Sequence, residues 1–287
     1  MAEETGLELY ARTARRSAAL VIRDYSTSFG LASRLLTPRV RWQIGAIYGV
    51  VRLADEVVDG PAHAAGVPVD ERRRLLDALE QEVEASLTRR FSTNLLVHAF
   101  QDAAAVASFG PELTRPFFAS MRRDLDPVDL TDEAELDEYV YGSAEVVGLM
   151  CLAAFLADAP PAPRDRERLD AGARALGSAF QRVNFVRDLA ADADGLGRRY
   201  LPQLDPAHPT EEAKHAVLDR IDADLAIAEG TLPMLPRDAR RAVGAAHGLF
   251  AALSRRLRAT PADRLRRERV RVPAPEKLRI LAAAAVR

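Results

Sequence analysis

The sequence is poor in the residues that build covalent or soft-metal chemistry. Its one cysteine, Cys151, excludes an internal disulfide framework and any Cys-rich zinc or iron–sulfur site. Five histidines (His63, His98, His208, His215, His247) form no H-x-x-H or H-x-x-x-H pair, which leaves no histidine-built zinc site. Lysine is nearly missing: Lys214 and Lys277 are the only two among 40 basic side chains. That skew reads as a genome bias, although arginine suits bidentate phosphate contacts. The single G-x-G, at Gly195 and Gly197, has Tyr200 where a dinucleotide fingerprint needs its third glycine, so a Rossmann unit is unsupported. No sustained strand alternation or Asn-Gly or Asp-Gly hairpin turn is present. The longest uncharged apolar run, 146–157, is 12 residues, against the roughly 20 that span a bilayer. Glu3 and Glu4 open a chain without an apolar signal core, so a cytoplasmic location is expected. Forty basic and 42 acidic residues give a net charge of −2, which disfavours nucleic acid as a partner.

What is present is helix-forming sequence. Of 287 residues, 48% are hydrophobic and 29% charged, the balance of a globular chain. Long proline-free stretches rich in Ala, Leu, Arg and Glu lie between the 17 prolines, and proline is disfavoured inside helices. The pattern predicts ten helices, at 5–23, 39–59, 70–89, 93–109, 115–125, 132–158, 165–194, 211–230, 236–259 and 274–286. With no internal repeat and no low-complexity linker, residues 1–287 are expected to form one all-α domain.

Two of these helices carry acid at helical spacing. Tyr48, Arg52, Asp55 and Asp59 stand at offsets 0, 4, 7 and 11, one stripe at 3.6 residues per turn. Gln181, Asn184, Asp188 and Asp192, with Arg187 alongside, repeat the arrangement at 0, 3, 7 and 11. One acidic i,i+4 pair reads plainly as a solvated face. Here both pairs have apolar flanks (Val50, Val51, Leu53, Val57 and Val58; Val183, Phe185, Val186 and Leu189), and like charges at that spacing repel. Two such pairs suggest carboxylates facing each other across a bundle interior, where they need compensation. Hard oxygen ligands without His or Cys point to Mg²⁺, which in turn binds substrate phosphates. Asp219, Asp222 and Asp224 read as surface acid. Cys151 and Met150 read as core.

Further motifs surround the stripes. Y-S-T-S-F at 25–29 is followed by L-L-T-P at 35–38; A-I-Y-G-V-V-R-L-A-D-E-V-V-D fills 46–59; E-Y-V-Y-G-S-A-E-V-V-G fills 138–148. G-S-A-F-Q-R-V-N-F-V-R-D-L-A-A-D and then G-R-R-Y-L-P lie within 177–202. Through these the chain resembles the squalene/phytoene synthase family of head-to-head prenyl transferases over roughly residues 20–280. Its motif forms are most similar to bacterial phytoene synthases of carotenoid pathways. The resemblance implies an isoprenoid-synthase-like helix bundle with a central active-site cavity. It implies condensation of two geranylgeranyl diphosphates through prephytoene diphosphate to phytoene, dependent on Mg²⁺, with Mn²⁺ able to substitute and no NADPH. Asp55, Asp59, Asn184, Asp188 and Asp192 would hold the metal. Tyr25, Ser26, Thr27 and Ser28 would line a diphosphate site. Tyr48, Arg52, Gln181 and Arg187 would position diphosphates and the reacting carbons, with Tyr48, Arg52 and the four aspartates catalytic. Tyr139, Arg198 and Tyr200 would be second-tier contributors to substrate binding, the two tyrosines equally reading as packed amphipathic side chains.

Four positions depart from the commoner family pattern. Tyr25 stands where many members have His, and Glu56 replaces the second Asp of a D-D-x-x-D. Glu145 sits in a usually apolar part of its helix, and Phe250 falls where Tyr is common. The rival readings are a C30 squalene, hydroxysqualene or dehydrosqualene synthase using farnesyl diphosphate, a terpene cyclase, and a non-catalytic helical assembly factor. A cyclase should show an N-S-E type second metal motif, whereas an assembly factor should have lost the aspartates. Finally, residues 255–287 hold 11 Lys+Arg against 3 Asp+Glu. This basic end reads either as an ordinary solvated helix end or as a face for peripheral contact with anionic membrane, on the inner side.

Overall fold

A computed structural model describes residues 5–286, apart from the side chains of 27–29, 194 and 196. Thr27 and Ser28, as side chains, and Arg287 therefore lie outside the described residues. The described residues fold into fourteen α-helices: α1 (Gly6–Tyr25), α2 (Thr27–Ser33), α3 (Pro38–Val58), α4 (Pro61–Ala64), α5 (Val69–Arg89), α6 (Leu95–Ala107), α7 (Pro111–Arg123), α8 (Glu133–Val140), α9 (Val146–Leu156), α10 (Pro163–Arg187), α11 (Leu189–Leu196), α12 (Glu211–Thr231), α13 (Arg237–Ala259) and α14 (Ala274–Val286). Among the described residues there is no strand, only an isolated parallel bridge between Asp129 and Arg199. The all-α bundle expected from the sequence is what forms, and each of the ten anticipated helices has a counterpart.

The helix starts follow local chemistry. Thr5 and Glu8 make a reciprocal capping box, and Asn94, Asp132 and Thr210 cap α6, α8 and α12 with their side chains. Pro38, Pro111 and Pro163 sit in the first turn of α3, α7 and α10, where a missing N–H costs nothing.

Three departures correct the sequence reading. First, α7 begins at Pro111 and runs through Pro116 instead of starting after it. Only one backbone bond near the helix start is lost, the one to the Glu112 carbonyl.

Second, 132–158 is not one regular helix. A π turn over Tyr141–Glu145 joins α8 to α9, and Gly142 lies there against Pro116 and Ser120, with no room for a Cβ. The combined run Glu133–Leu156 contains an 18-residue window of mean hydropathy 1.6, long and apolar enough to cross a bilayer, which the 12-residue run alone did not suggest. Half of that window is buried inside this fold, and α9 packs against α3, α6, α7 and α10.

Third, 165–194 breaks at Asp188, whose ψ of 11° leaves the helical region. The i→i−4 bonds Asp188 N–Asn184 O (2.8 Å) and Asp192 N–Asp188 O (2.9 Å) persist on either side.

Asp224 is also corrected. It is buried and accepts the Ser178 hydroxyl at 2.8 Å, joining α10 to α12. Asp219 and Asp222 are surface acids, paired with Arg258.

Helices α3, α9, α10 and α13 frame the interior. Gly177 on α10 approaches the π turn so closely that a Cβ would lie 2.7 Å from the Ala144 carbonyl, and Gly148 on α9 faces the Ala173 carbonyl at 2.6 Å. These two glycines let α9 and α10 close into one wall.

Candidate active site

Between these helices lies an apolar cavity of about 330 Å³. Tyr48 and Asn184 stand among its lining at one end, and Phe155, Leu169, Leu232 and Leu235 line it elsewhere. Along α10, Leu169 and Asn184 are separated by about 22 Å of helix axis. Two polar side chains in this wall satisfy themselves locally: Ser33 donates to the Gly30 carbonyl and Thr231 to the Ala228 carbonyl, both at 2.8 Å, while the Ser143 hydroxyl is buried without a hydrogen-bond partner among the described residues. Burial pushes the Cys151 thiol, also in the lining, up to about 12, so it stays neutral. Met150 is core, as expected. Phe250 stacks on the cavity-lining Phe180 at 3.7 Å between centroids, where a tyrosine hydroxyl is not needed for the contact.

Above the Tyr48–Asn184 end the two acidic stripes converge. Asp59, at the C-cap of α3, accepts Arg198 Nη1 at 2.5 Å. Arg198 Nη2 donates to the Asp124 carbonyl, also at 2.5 Å. The Asp124 carboxylate is buried and accepts the hydroxyls of Tyr139 (2.6 Å) and Tyr200 (2.8 Å). Burial pushes both phenols upward, so they remain protonated donors. Tyr139 and Tyr200 thus hold a site carboxylate from behind, and their rings pack on each other and on Phe185.

The electrostatics show carboxylates in excess of cations. Burial and then Asp59 push Asp55 up to about 7, against the pull of Arg52. Burial, Asp188, Asp59 and Asp124 push Asp192 up to about 7, against Arg198. Burial raises Asp124 to about 6 despite Arg198 and its two tyrosines. Asp188 behaves oppositely. Burial opposes its ionisation, but Arg187 (Nε–Oδ1 3.0 Å) and Arg269 (Nε–Oδ1 2.7 Å, Nη2–Oδ2 3.1 Å) outweigh it and hold the carboxyl below its usual range.

On the α3 side, Arg52 pairs with Glu56, lies 4.0 Å from Asp55 and sits 4.5 Å above the ring of the exposed Tyr25. Ser26 hydrogen-bonds Tyr48. Gln181 is half-buried one turn before Asn184 and is absent from the cavity lining. Glu145 points to Arg174 at 2.7 Å, which explains how an acid is accommodated in the π turn.

Among the described residues, no three Asp, Glu, His or Cys side chains form a ready-made metal cluster. The donor set is nevertheless all oxygen, and burial, reinforced by neighbouring carboxylates, pushes Asp55 and Asp192 toward protonation. That is the chemistry a hard divalent cation relieves. Sequence reasoning missed Asp124 and Arg269. Asp124 lies in M-R-R-D-L-D and Arg269 in a basic run, and neither stands at any motif spacing.

The family model for squalene/phytoene synthase matches residues 22–276. The chain belongs to that family. It is 35% identical to phytoene synthase 3, chloroplastic, of Zea mays over 185 residues, 64% of this chain and 41% of that protein. It is 34% identical to phytoene synthase 1, chloroplastic, of Solanum lycopersicum over 183 residues, 64% of this chain and 42% of that protein. The matched stretch spans less than half the length of these relatives. Among solved structures, a dehydrosqualene synthase aligns at a TM-score of 0.79 with 19% identity, covering 97% of each chain. A squalene synthase from Alicyclobacillus acidocaldarius aligns at 0.73 with 19% identity, covering 88% of this chain and 97% of that one. These likenesses show the shared fold.

Proposed function

We propose that this member of the family condenses two geranylgeranyl diphosphates head to head, through prephytoene diphosphate, to phytoene, with Mg²⁺ or Mn²⁺ and without NADPH. The observation that carries the reading is the convergence of both acidic stripes at one end of an apolar cavity. The 34–35% identity to phytoene synthases favours the C20 substrate over the C15 one.

Asp55 and Asp59 from α3, with Asn184, Asp188 and Asp192 from α10 and α11, would hold the metal. Bound there, it would supply the positive charge that stabilises a departing diphosphate. Arg52, Arg187 and Arg269 offer planar, permanently charged donors to phosphate oxygens. The cavity wall keeps water from the allylic cation after the C–O bond breaks. In the first step the C2=C3 double bond of the second substrate attacks C1 of that cation, and a proton leaves as the cyclopropane closes. A second diphosphate then departs, the ring opens with formation of the new C1–C1′ bond, and loss of a proton yields the central double bond.

The test is incubation of the purified chain with geranylgeranyl or farnesyl diphosphate and Mg²⁺, with and without NADPH, followed by mass spectrometry of the hydrocarbons. Phytoene without NADPH is the expected product. Exclusive C30 product from farnesyl diphosphate, or squalene only with NADPH, overturns the substrate assignment.

A further inference from the structure

Tyr25 and Glu56 lie on different helices, and the structure brings both onto one guanidinium. Tyr25 ends α1 and lays its ring beneath Arg52, 4.5 Å from Cζ to the ring centroid. Glu56 stands one turn after Arg52 on α3 and pairs with its Nη2. The Glu56 side chain is only 15% exposed, so this ion pair is shielded from solvent more than an ordinary surface pair. Asp55 is the alternative partner: its Oδ2 is 4.0 Å from Arg52 Nη1. Arg52 Nε is buried and makes no hydrogen bond. An unpaired buried donor at the edge of a phosphate site calls for an acceptor from outside.

We propose that Tyr25, Arg52 and Glu56 form a positioning triad, in which the ring face and the glutamate hold Arg52 off Asp55 and leave its Nε–H for an oxygen of a bound diphosphate. The inference rests on the functional reading above and adds what these two residues do. Glu56 acts as the anchor of an arginine and not as a metal ligand, because its carboxylate is directed along the helix to Arg52. An aspartate here would be one methylene shorter and would release the guanidinium toward Asp55. Tyr25 acts through its π face and not through its hydroxyl. A guanidinium over an aromatic face is attracted without being neutralised, so Arg52 keeps its full charge for the ligand.

Titration calorimetry of the full chain, first with Mn²⁺ alone and then with inorganic pyrophosphate in Mn²⁺, tests the triad. E56Q and E56D should both weaken Mn²⁺ binding about fivefold, because Arg52 swings to Asp55 and competes with the cation. Y25L should weaken pyrophosphate binding about fivefold, and Y25F, which keeps the ring face, should restore it. E56Q should also weaken pyrophosphate binding in Mn²⁺, and in Y25L/E56Q the loss of pyrophosphate affinity should be smaller than the product of the two single losses in that affinity, since both release the same guanidinium. Thermal unfolding identifies any variant that fails to fold, and E56D or Y25F then carries the comparison. Wild-type Mn²⁺ affinity in both Glu56 variants, equal damage from Y25F and Y25L, or fully multiplicative losses would each overturn the triad. A wild-type chain that binds neither Mn²⁺ nor pyrophosphate removes the functional reading and the triad together. Binding that none of the substitutions alters removes the triad alone.

Discussion

Arg198 donates to Asp59 at 2.5 Å across 139 residues of sequence, tying the last residue of the first acidic stripe to the loop that follows the second. The same guanidinium reaches the Asp124 carbonyl, so a single side chain sets the spacing between α3, the end of α7 and the turn after α11. Gly197, at φ 64°, makes that turn. The turn explains why G-R-R-Y-L-P follows the second acidic motif so closely. Arg198 and Tyr200 must come back under the aspartates, and they do so within three residues of a left-handed glycine.

Turnover is expected to collapse in Asp55→Asn, Asp59→Asn, Asp188→Asn and Asp192→Asn. A group that stabilises developing charge typically contributes about 10²–10³ in rate. Product formation under saturating Mg²⁺ reads the effect. Near wild-type turnover in a variant with both aspartates of one stripe replaced would remove the carboxylates from the mechanism.

The tyrosines behind the site should register as stability. A hydrogen bond to a charged group contributes roughly 1.5–3 kcal/mol, and Asp124 takes two phenol donors while only 7% exposed. Tyr139→Phe or Tyr200→Phe should each lower stability by about 2 kcal/mol, or roughly 3 °C in midpoint for a chain of 287 residues. The double variant should lose less than the sum, because both donors serve one carboxylate. Calorimetric unfolding decides it, and unchanged midpoints would mean that Asp124 does not depend on either hydroxyl.

Asp192 makes stability depend on pH in an unusual direction. Its carboxyl lies at about 7 in the folded chain against 3.8 ordinarily, so between those values the folded state holds a proton that the unfolded state has lost. Stability from this group therefore falls as pH rises from 3.8 and levels off above about 7. Asp188, held low, works the other way: its contribution is present at neutral pH and is lost only as acid takes the pH below 3.8. The metal-free thermal midpoint should decline from pH 5.5 to pH 8; Asp192→Asn should make that decline shallower, leaving the share that the raised Asp55 and Asp124 carboxyls contribute; and Mg²⁺ should raise the midpoint more at pH 8. A variant profile parallel to wild type would exclude Asp192 as the source.

The helices were legible because proline and helix-forming residues punctuate the chain cleanly. The two acidic stripes were legible because 3.6-residue periodicity places four polar groups on one face each. Their meeting was not. Nothing in the spacing says that α10 stops at Asp188, since the flanking sequence continues as good helix and the break is set by tertiary packing. Asp124 and Arg269 escaped because a buried acid and an exposed arginine in charged runs look like any solvated face. The π turn escaped because Gly142 signals only a missing side chain, and its neighbours Pro116 and Ser120 are more than twenty residues upstream.

The basic C-terminal segment yields the last prediction. Folding neutralises part of it: Arg256 pairs with Glu276, Arg258 with Asp219 and Asp222, and Arg269 with Asp188. Arg255, Arg264, Arg267, Arg271 and Arg279 remain exposed, beside Leu278 at 64% and Val286 at 83% exposure. Basic residues near an anionic leaflet contribute about 1 kcal/mol each at low ionic strength, and salt screens that gain. A few exposed arginines flanked by apolar side chains are therefore enough for reversible, peripheral attachment, which would suit delivery of a water-insoluble hydrocarbon. The chain is expected to co-sediment with anionic vesicles at low salt, to be released at high salt, and to ignore neutral vesicles. Replacing Arg264, Arg267 and Arg271 with Gln should weaken attachment at least tenfold, since three such contacts are removed. Equal partitioning onto neutral and anionic vesicles, or no binding at low salt, would show that this basic face serves only the fold and its solubility.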